Sequence, residues 1–273
     1  MVDVSQREIE DIEASSAPLL EHLVELRSRL IKALIAFALT FLVCFFFSTE
    51  IFLFLVKPFV KAVVASGKAV SDAEMQYTGA LEFFFTKVKL AAFGAAFISF
   101  PILATQLYKF VAPGLYKHEK QAFLPYLIAT PIFFLAGAVV VYYMALPLMM
   151  TFSLSMEYGI GASTQPGYFG PKITYIPKVM EYLGLTMALI LAFGVCFQLP
   201  ILLTLLARIG VISSQTLIKK RRHAIVLVFI VAAVLTPPDP LSQVALAIPT
   251  LLLYELSIFA VRFVEKKHKV EET

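Results

Sequence analysis

The chain alternates long apolar runs with short polar stretches. Six runs approach the roughly 20 residues that a helix needs to cross a hydrocarbon core: 30–48, 84–107, 121–147, 179–207, 223–236 and 241–261. They predict an all-α integral membrane protein with six transmembrane helices. Composition agrees, since 59% of the 273 residues are hydrophobic and 15% are charged, which leaves too little polar surface for a soluble domain of this size.

Prolines recur inside these predicted helices. Pro101, Pro131, Pro200 and Pro249 are internal, whereas Pro125 and Pro147 lie nearer helix ends. Each removes a backbone donor and bends a helix. A proline-kinked, cupped bundle and the ordinary use of proline in membrane helices explain the pattern equally well.

The flanks of the apolar domain are polar. Residues 1–17 carry five acids against one arginine, unlike a basic targeting segment, and we expect a disordered acidic tail there. Residues 18–263 form the predicted six-helix transmembrane domain, and 264–273 a cytoplasmic C-terminal tail. The segment 50–65 nearly qualifies as another span, but Lys57, Lys61 and Pro58 interrupt it. We predict a helix lying in the outer interface, with both lysines snorkelling to headgroups.

The basic residues predict the orientation. With both termini inside, 16 of the 23 Lys and Arg residues face the cytoplasm and 7 face outward, mostly in long loops. The pI near 8.9 fits basic membrane flanks better than nucleic-acid binding. We therefore predict a multi-pass protein of the bacterial cytoplasmic (inner) membrane, with both termini cytoplasmic.

Acidic residues stand out at the predicted inner face. Residues 17–32 form a helix with a stripe of leucines (Leu19, Leu23, Leu26 and Leu30) opposite Glu21, Glu25 and Arg29. On the residues alone, a modest Glu25–Arg29 surface pair is the favoured interpretation. Glu119 begins the third helix, where it either complements the helix dipole or supplies a second carboxylate to the same face.

Few polar groups fall at membrane depth. Gln198 is the deepest, Gln243 enters the sixth helix, and Glu255 lies nearer its inner end, within reach of the interface or Arg262. The four histidines form no metal pair, and no nucleophile–base motif or phosphate-binding loop appears. We expect no enzymatic activity, no cofactor and no bound metal.

Five segments, in order, resemble the TatC family, the multispanning receptor subunit of the twin-arginine protein translocase. They are EHLVELRSRL (21–30), ALEFFFTKVKLA (80–91), APGLYKHE (112–119), FGVCFQLP (193–200) and LTPPDPLSQVALAIPTLLLYE (235–255). Each is weakly specific alone, but the five occur in order across six predicted spans, and the resemblance runs from about residue 18 to 262. The resemblance implies recognition of twin-arginine signal peptides of folded cargo and assembly of a multimeric complex, driven by the proton-motive force without nucleotide hydrolysis.

The resemblance also assigns residues. It implies a signal-peptide site at the inner face, formed by Glu25 and Glu119 and shaped by Arg27, Phe110, Pro113 and Tyr116. It implies docking of the single-span TatA and TatB subunits near Pro237, Pro238, Asp239, Gln243 and Gln198. Pro58 and Glu82 match structural positions of the outer side.

Two positions depart from the family pattern. Tyr108 stands where many members have Trp, and Gln198 stands where many carry an acid. We hypothesise that Gln198 is a neutral hydrogen-bonding group for a partner helix. The alternative function is a secondary transporter of a small solute, which needs several polar groups converging at mid-membrane.

Overall fold

The computed structural model describes residues 3–111, 120–160, 174–208, 210–235 and 240–271, with side chains over 24–109, 124–156, 174–208, 210–234 and 243–266. Their main elements are helices: α1 (Asp3–Phe46), α2 (Ser48–Ala65), α3 (Glu82–Val111), α4 (Lys120–Val140), α5 (Leu146–Ile160), α6 (Val179–Cys196), α7 (Leu199–Arg208), α8 (Ser214–Lys219), α9 (Arg221–Leu235) and α10 (Pro240–Glu271). A 3-10 turn covers Val70–Asp72, and a π-helical turn, Val141–Ala145, joins α4 to α5.

Five helical segments of the described chain are long and apolar enough to cross a membrane: Val24–Phe46, Glu82–Lys109, Leu124–Met156, Val179–Arg208 and Gln243–Lys266. They correspond to five of the six predicted spans and confirm the all-helical class. The remaining prediction, at 223–236, falls on α9, which has 15 residues and is shorter than the other five segments.

The N-terminal segment differs from the sequence prediction. We expected residues 1–17 to be disordered, but α1 begins at Asp3 and runs without interruption to Phe46. Residues 3–17 lack glycine and proline, the residues that most oppose a helix, so their intrinsic propensity allows α1 to extend to Asp3 despite the acidic charge on which the prediction rests.

Burial separates central from peripheral helices. Over the most apolar stretch of each span, 56% of the α6–α7 residues are buried, against 6% for α1. The largest buried cluster joins α2, the π-helical turn, α5 and α6 around Phe59, Leu146, Leu183 and Phe193. Beyond it, α1 packs mainly along α3, and α7 packs along α10. Helix α6 therefore lies at the centre of the bundle.

Helix α2 covers the segment predicted as an interfacial helix. It continues through Pro58, and Leu55, Phe59 and Val63 are almost fully buried against the neighbouring helices. Lys57 stays exposed, as a snorkelling side chain requires. The periodic burial shows that α2 belongs to the packed bundle on one face.

Two helices end in the same way at glycines with positive φ. At the end of α2, the amide of Gly67 (φ +84°) donates to the Val64 carbonyl, and the next amide donates to the Val63 carbonyl. At the end of α7, Gly210 (φ +76°) and Val211 make the equivalent pair of bonds. Both are Schellman motifs, in which glycine takes the left-handed position at no steric cost.

Candidate functional site

On α1, the side chains of Glu25 and Arg29 are partly buried and pair with each other. The Arg29 guanidinium donates to the Glu25 carboxylate, and the side chains are 17% and 39% exposed, respectively. Leu26 and Leu30 of the apolar stripe are exposed, as expected where an apolar face meets lipid. The predicted i,i+4 pair is therefore present, and Arg27 is exposed beside it.

The other predicted members of this site lie mostly outside the described residues. Three of them, Pro113, Tyr116 and Glu119, belong to the segment 112–119, which lies outside the described residues. The structure describes the backbone of Phe110, which lies within α3. The geometry of the second carboxylate thus stays a prediction.

Gln198 occupies the turn between α6 and α7, where Pro200 withholds a backbone donor. Its side chain is 8% exposed, and Nε2 donates to the carbonyl of Thr130 on α4 at 3.0 Å and of Gly194 at 3.4 Å. Oε1 is buried and has no hydrogen-bond partner among the described residues. Tyr108 of α3 is buried in a neighbouring cluster with Ile201 and Leu205 of α7.

This geometry shows how the chain itself uses one end of the Gln198 amide. Nε2 bonds to Thr130 within the chain and ties α4 to the α6–α7 turn. The hypothesis that the amide also serves a partner helix stays a prediction. The transporter alternative requires several polar groups that converge at mid-membrane. Gln243, the other deep amide, donates to the Phe229 carbonyl at 3.3 Å and links α10 to α9. The two amides therefore serve different helix pairs, and the alternative loses support.

Glu82, at the start of α3, joins two helix N-termini. Its carboxylate accepts from the amides of Thr78 (2.7 Å) and Gly79 (3.1 Å), and its other oxygen accepts from the Met180 amide of α6 (3.4 Å). A carboxylate also complements the positive end of a helix dipole. Burial raises the pKa of the nearby Tyr77 phenol, and the negative charge of Glu82 raises it further.

Pro58, the other residue predicted to be structural, lies next to two backbone carbonyls of α2 that accept hydrogen bonds from tyrosines. A proline at 58 leaves the carbonyl of Phe54 without its helical donor, and the Tyr142 hydroxyl donates to that oxygen at 2.8 Å. Tyr182 donates to the adjacent Leu55 carbonyl at 2.9 Å. Sequence reasoning missed both tyrosines. The proline signals a free carbonyl, but only the fold shows which hydroxyl reaches it.

The last helical hairpin is tied at both ends. Beyond the Gln243 bond, Arg221 at the start of α9 pairs with Glu255 of α10 at 2.6 Å, instead of the predicted Glu255 contact with the interface or Arg262. Tyr254 donates to the Leu217 carbonyl of α8 at 2.8 Å. The predicted docking residues Pro237, Pro238 and Asp239 lie outside the described residues.

The exposed apolar spans, with polar groups tied between helices, define a multi-span α-helical membrane protein. Within the described segments, no group of three or more His, Cys, Asp or Glu is placed to hold a metal ion. The described polar groups bind backbone and neighbouring side chains, so their evident chemistry is structural.

Comparisons with known proteins identify the family. Residues 21–249 match the family model for Sec-independent protein translocase protein (TatC). The chain is 42% identical to TatC of Magnetococcus marinus, over 96% of this chain and 90% of that protein, and 44% identical to TatC of Rickettsia prowazekii, over 90% and 92%. A crystal structure of the twin arginine translocase receptor TatC matches with a TM-score of 0.74 at 33% identity, covering 89% of this chain and 99% of that one.

The chain belongs to the TatC family. The five motifs that suggested the resemblance lie within or across the matched range, and the fold agrees with that of the solved receptor. The prediction of family is therefore confirmed, and the protein is a multi-span component of a translocase.

Proposed function

We propose that this chain is the receptor subunit of a twin-arginine translocase and binds twin-arginine signal peptides of folded cargo at the cytoplasmic face. Glu25 and Glu119 each receive one arginine, and Arg27, Phe110, Pro113 and Tyr116 shape the surrounding surface. The site lies in a bacterial inner membrane, with both termini cytoplasmic and α9 as a sixth, short span.

The packing of α1 against α3 carries this proposal. A Cβ placed on Gly94 of α3 would lie 3.0 Å from Cys44 Sγ of α1, so the two helices touch there. In the proposed topology α1 runs outward and α3 inward. Arg27 and Val111 each lie about 25 Å along their helices from that contact, at 1.5 Å per residue. Glu25 is then level with the start of the 112–119 segment that carries Glu119.

The chemistry of the pair favours arginine over lysine. A carboxylate accepts two parallel guanidinium hydrogen bonds, whereas an ammonium supplies charge without that fork. Glu25 already engages Arg29, so an incoming arginine must share or displace this partner. The exposed Arg27 nearby repels cations that arrive at other positions. A ligand whose arginines have the right spacing is therefore attracted selectively.

The proposed receptor works in a complex with partner subunits. TatA and TatB, as single-span helices, dock at the α9–α10 hairpin around Pro237, Pro238, Asp239 and Gln243 and assemble into a multimeric complex. One exposed surface supports this docking: Ile225, Val226 and Ile230 of α9 present apolar side chains outward. Such a face can pack an apolar helix within lipid. Assembly uses the proton-motive force.

Signal-peptide binding to purified protein in nanodiscs tests the receptor role. Glu25→Gln and Glu119→Gln should each weaken binding of a twin-arginine peptide about ten- to a hundredfold, the cost of one charge-assisted pair. A twin-lysine peptide should bind wild type more weakly than the arginine peptide. Binding should also fall as salt rises, since the site is at the interface.

The matched control is Glu74→Gln, which removes an exposed acid between α2 and α3. It should leave the affinity unchanged. Wild-type affinity in the Glu25→Gln/Glu119→Gln double variant would refute the site, and an equal loss in Glu74→Gln would reduce the effect to net charge.

A further inference from the structure

A polar groove lies where two spans end. Its walls come from the end of α7, the turn that follows it, the start of α8 and the last part of α10, and its volume is about 580 Å³. Three cations line it: Arg208, Arg262 and Lys266. Arg208 ends the Val179–Arg208 span and Lys266 ends the Gln243–Lys266 span, so the groove sits at a membrane–water boundary.

Among the described residues that line the groove, Glu265 is the one acid, and it is already engaged. Its two oxygens accept from the Ser214 amide at 2.8 Å and from the Ser214 hydroxyl at 2.6 Å. Its charge is thus directed at the start of α8. The guanidinium of Arg262 and the ammonium of Lys266 are exposed, so the described lining offers two accessible cations to an anionic ligand.

The groove opens beside an apolar surface. Phe259 and Phe263 are 62% and 75% exposed on the same helix as Arg262, and Val211 is 64% exposed next to Gly210 of the groove wall. The Arg262 guanidinium lies 6.0 Å from the centre of the Phe259 ring. A ligand with a phosphate and hydrocarbon chains can therefore satisfy both surfaces at once, whereas a free phosphate uses only the cations.

We propose that this groove binds the headgroup of an anionic phospholipid, with its acyl chains along Phe259 and Phe263. Guanidinium groups match phosphate oxygens bidentately. Basic pockets between transmembrane helices at a membrane surface suit such headgroups. The phosphate of the lipid then acts as a common counterion for Arg208 at the end of α7 and for Arg262 and Lys266 of α10, and it links the two helix ends. This site is separate from Glu25 and does not depend on signal-peptide recognition.

Native mass spectrometry of the full chain, released from detergent, measures the binding. Cardiolipin is titrated against wild type, Arg262→Gln/Lys266→Gln, and the control Lys219→Gln/Lys220→Gln. The control removes two cations that lie in or beside α8 but do not line the groove. The groove variant should lose about 25-fold in apparent affinity, about fivefold per cation, and the control should match wild type.

Other outcomes overturn the proposal. Equal losses in both variants would mean general surface attraction, and equal binding of phosphatidylethanolamine would mean no selection for an anionic headgroup. Displacement of cardiolipin by millimolar inorganic phosphate would assign the groove to a soluble anion. Arg262→Lys is the safeguard in case the double variant misfolds. It keeps the charge and should lose affinity only because lysine lacks the guanidinium fork. Unchanged affinity in both Arg262→Lys and the double variant refutes the site.

Discussion

At the scale of single residues, Pro58 and Tyr142 act as one unit. Pro58 removes the donor that would have satisfied the Phe54 carbonyl, and the Tyr142 hydroxyl takes its place at 2.8 Å. The rings of Phe54 and Tyr142 also stack, with centroids 4.5 Å apart. A proline in the middle of α2 is tolerated because a side chain 88 positions away from Phe54 supplies the hydrogen bond that the Phe54 carbonyl lacks.

A double-mutant cycle tests this unit. Tyr142→Phe should lower the free energy of unfolding by about 1–3 kcal/mol, because it strands a carbonyl inside the bundle. In a Pro58→Ala background the amide at 58 returns, so the same change should cost clearly less. Thermal unfolding in detergent measures both, and Tyr143→Phe, at a 63% exposed position, is the matched control. Costs that add within about 0.5 kcal/mol would show that the two residues act independently.

At the scale of helices, α4 and α6 meet at two glycines. A Cβ on Gly137 would lie 2.6 Å from the Phe193 carbonyl oxygen, and one on Gly194 would lie 2.5 Å from the Phe134 ring. Small residues let membrane helices approach this closely and gain van der Waals contact. The contact lies one helical turn before Gln198, so it also sets where that amide meets Thr130.

Glycine-to-alanine substitutions separate packing from propensity. Gly137→Ala should destabilise the protein by about 1–3 kcal/mol, because backbone atoms must move apart. Gly184→Ala, in α6, has nothing within 4 Å of the new Cβ and should stabilise by about 0.5–1 kcal/mol through helix propensity. Thermal unfolding of the two variants is the measurement. A neutral Gly137→Ala would mean that α4 and α6 have room to shift.

The elements show what a sequence pattern can and cannot predict. Five of the six spans predicted from long apolar runs coincide with helices long and apolar enough to cross a membrane, because hydrophobicity and length alone define such a helix. The pattern predicts a helix at 50–65 but cannot show how α2 continues through Pro58, because the compensating hydrogen bonds come from the distant Tyr142 and Tyr182. It also does not predict that α1 begins as early as Asp3.

The candidate site was predictable to a similar degree. The Glu25–Arg29 pair follows from i,i+4 spacing on a helix, which is a local rule. The partner of Gln198 does not, since Thr130 lies 68 positions away and is reached only through packing of α4 on α6. The cationic groove near Arg262 was missed for the same reason: its residues come from separate segments of the chain.

At the scale of the whole molecule, the proposed topology makes a labelling prediction. Ser71 lies in the exposed 3-10 turn between α2 and α3, and Gln215 lies at the start of α8. We expect Ser71 on the outer side and Gln215 on the cytoplasmic side. Ser71→Cys should react with an impermeant thiol reagent added to intact spheroplasts, and Gln215→Cys only after lysis. Wild type should label weakly, since Cys44 is buried and Cys196 half-buried. The reverse pattern would invert the topology.

The shortest proposed span suggests how the molecule acts on its membrane. Helix α9 has 15 residues and extends about 22 Å at 1.5 Å per residue, well below a hydrocarbon core of roughly 30 Å. A short span thins the bilayer around it. The exposed apolar side chains of α9 leave this face open to lipid or a partner helix. We expect thinning there to lower the barrier that a folded cargo must cross.

Lengthening α9 tests the connection between thickness and transport. Four leucines inserted after Val231 add about 6 Å and nearly restore the match with the bilayer. We expect cargo transport by vesicles to fall severely, whereas signal-peptide binding at Glu25 should persist because that site lies on α1. The control Val231→Leu/Val234→Leu adds apolar bulk at two exposed positions without changing length, and it should transport normally. Co-purification with TatB checks that the hairpin still assembles. Normal transport by the lengthened variant would show that the short helix has no part in opening the membrane.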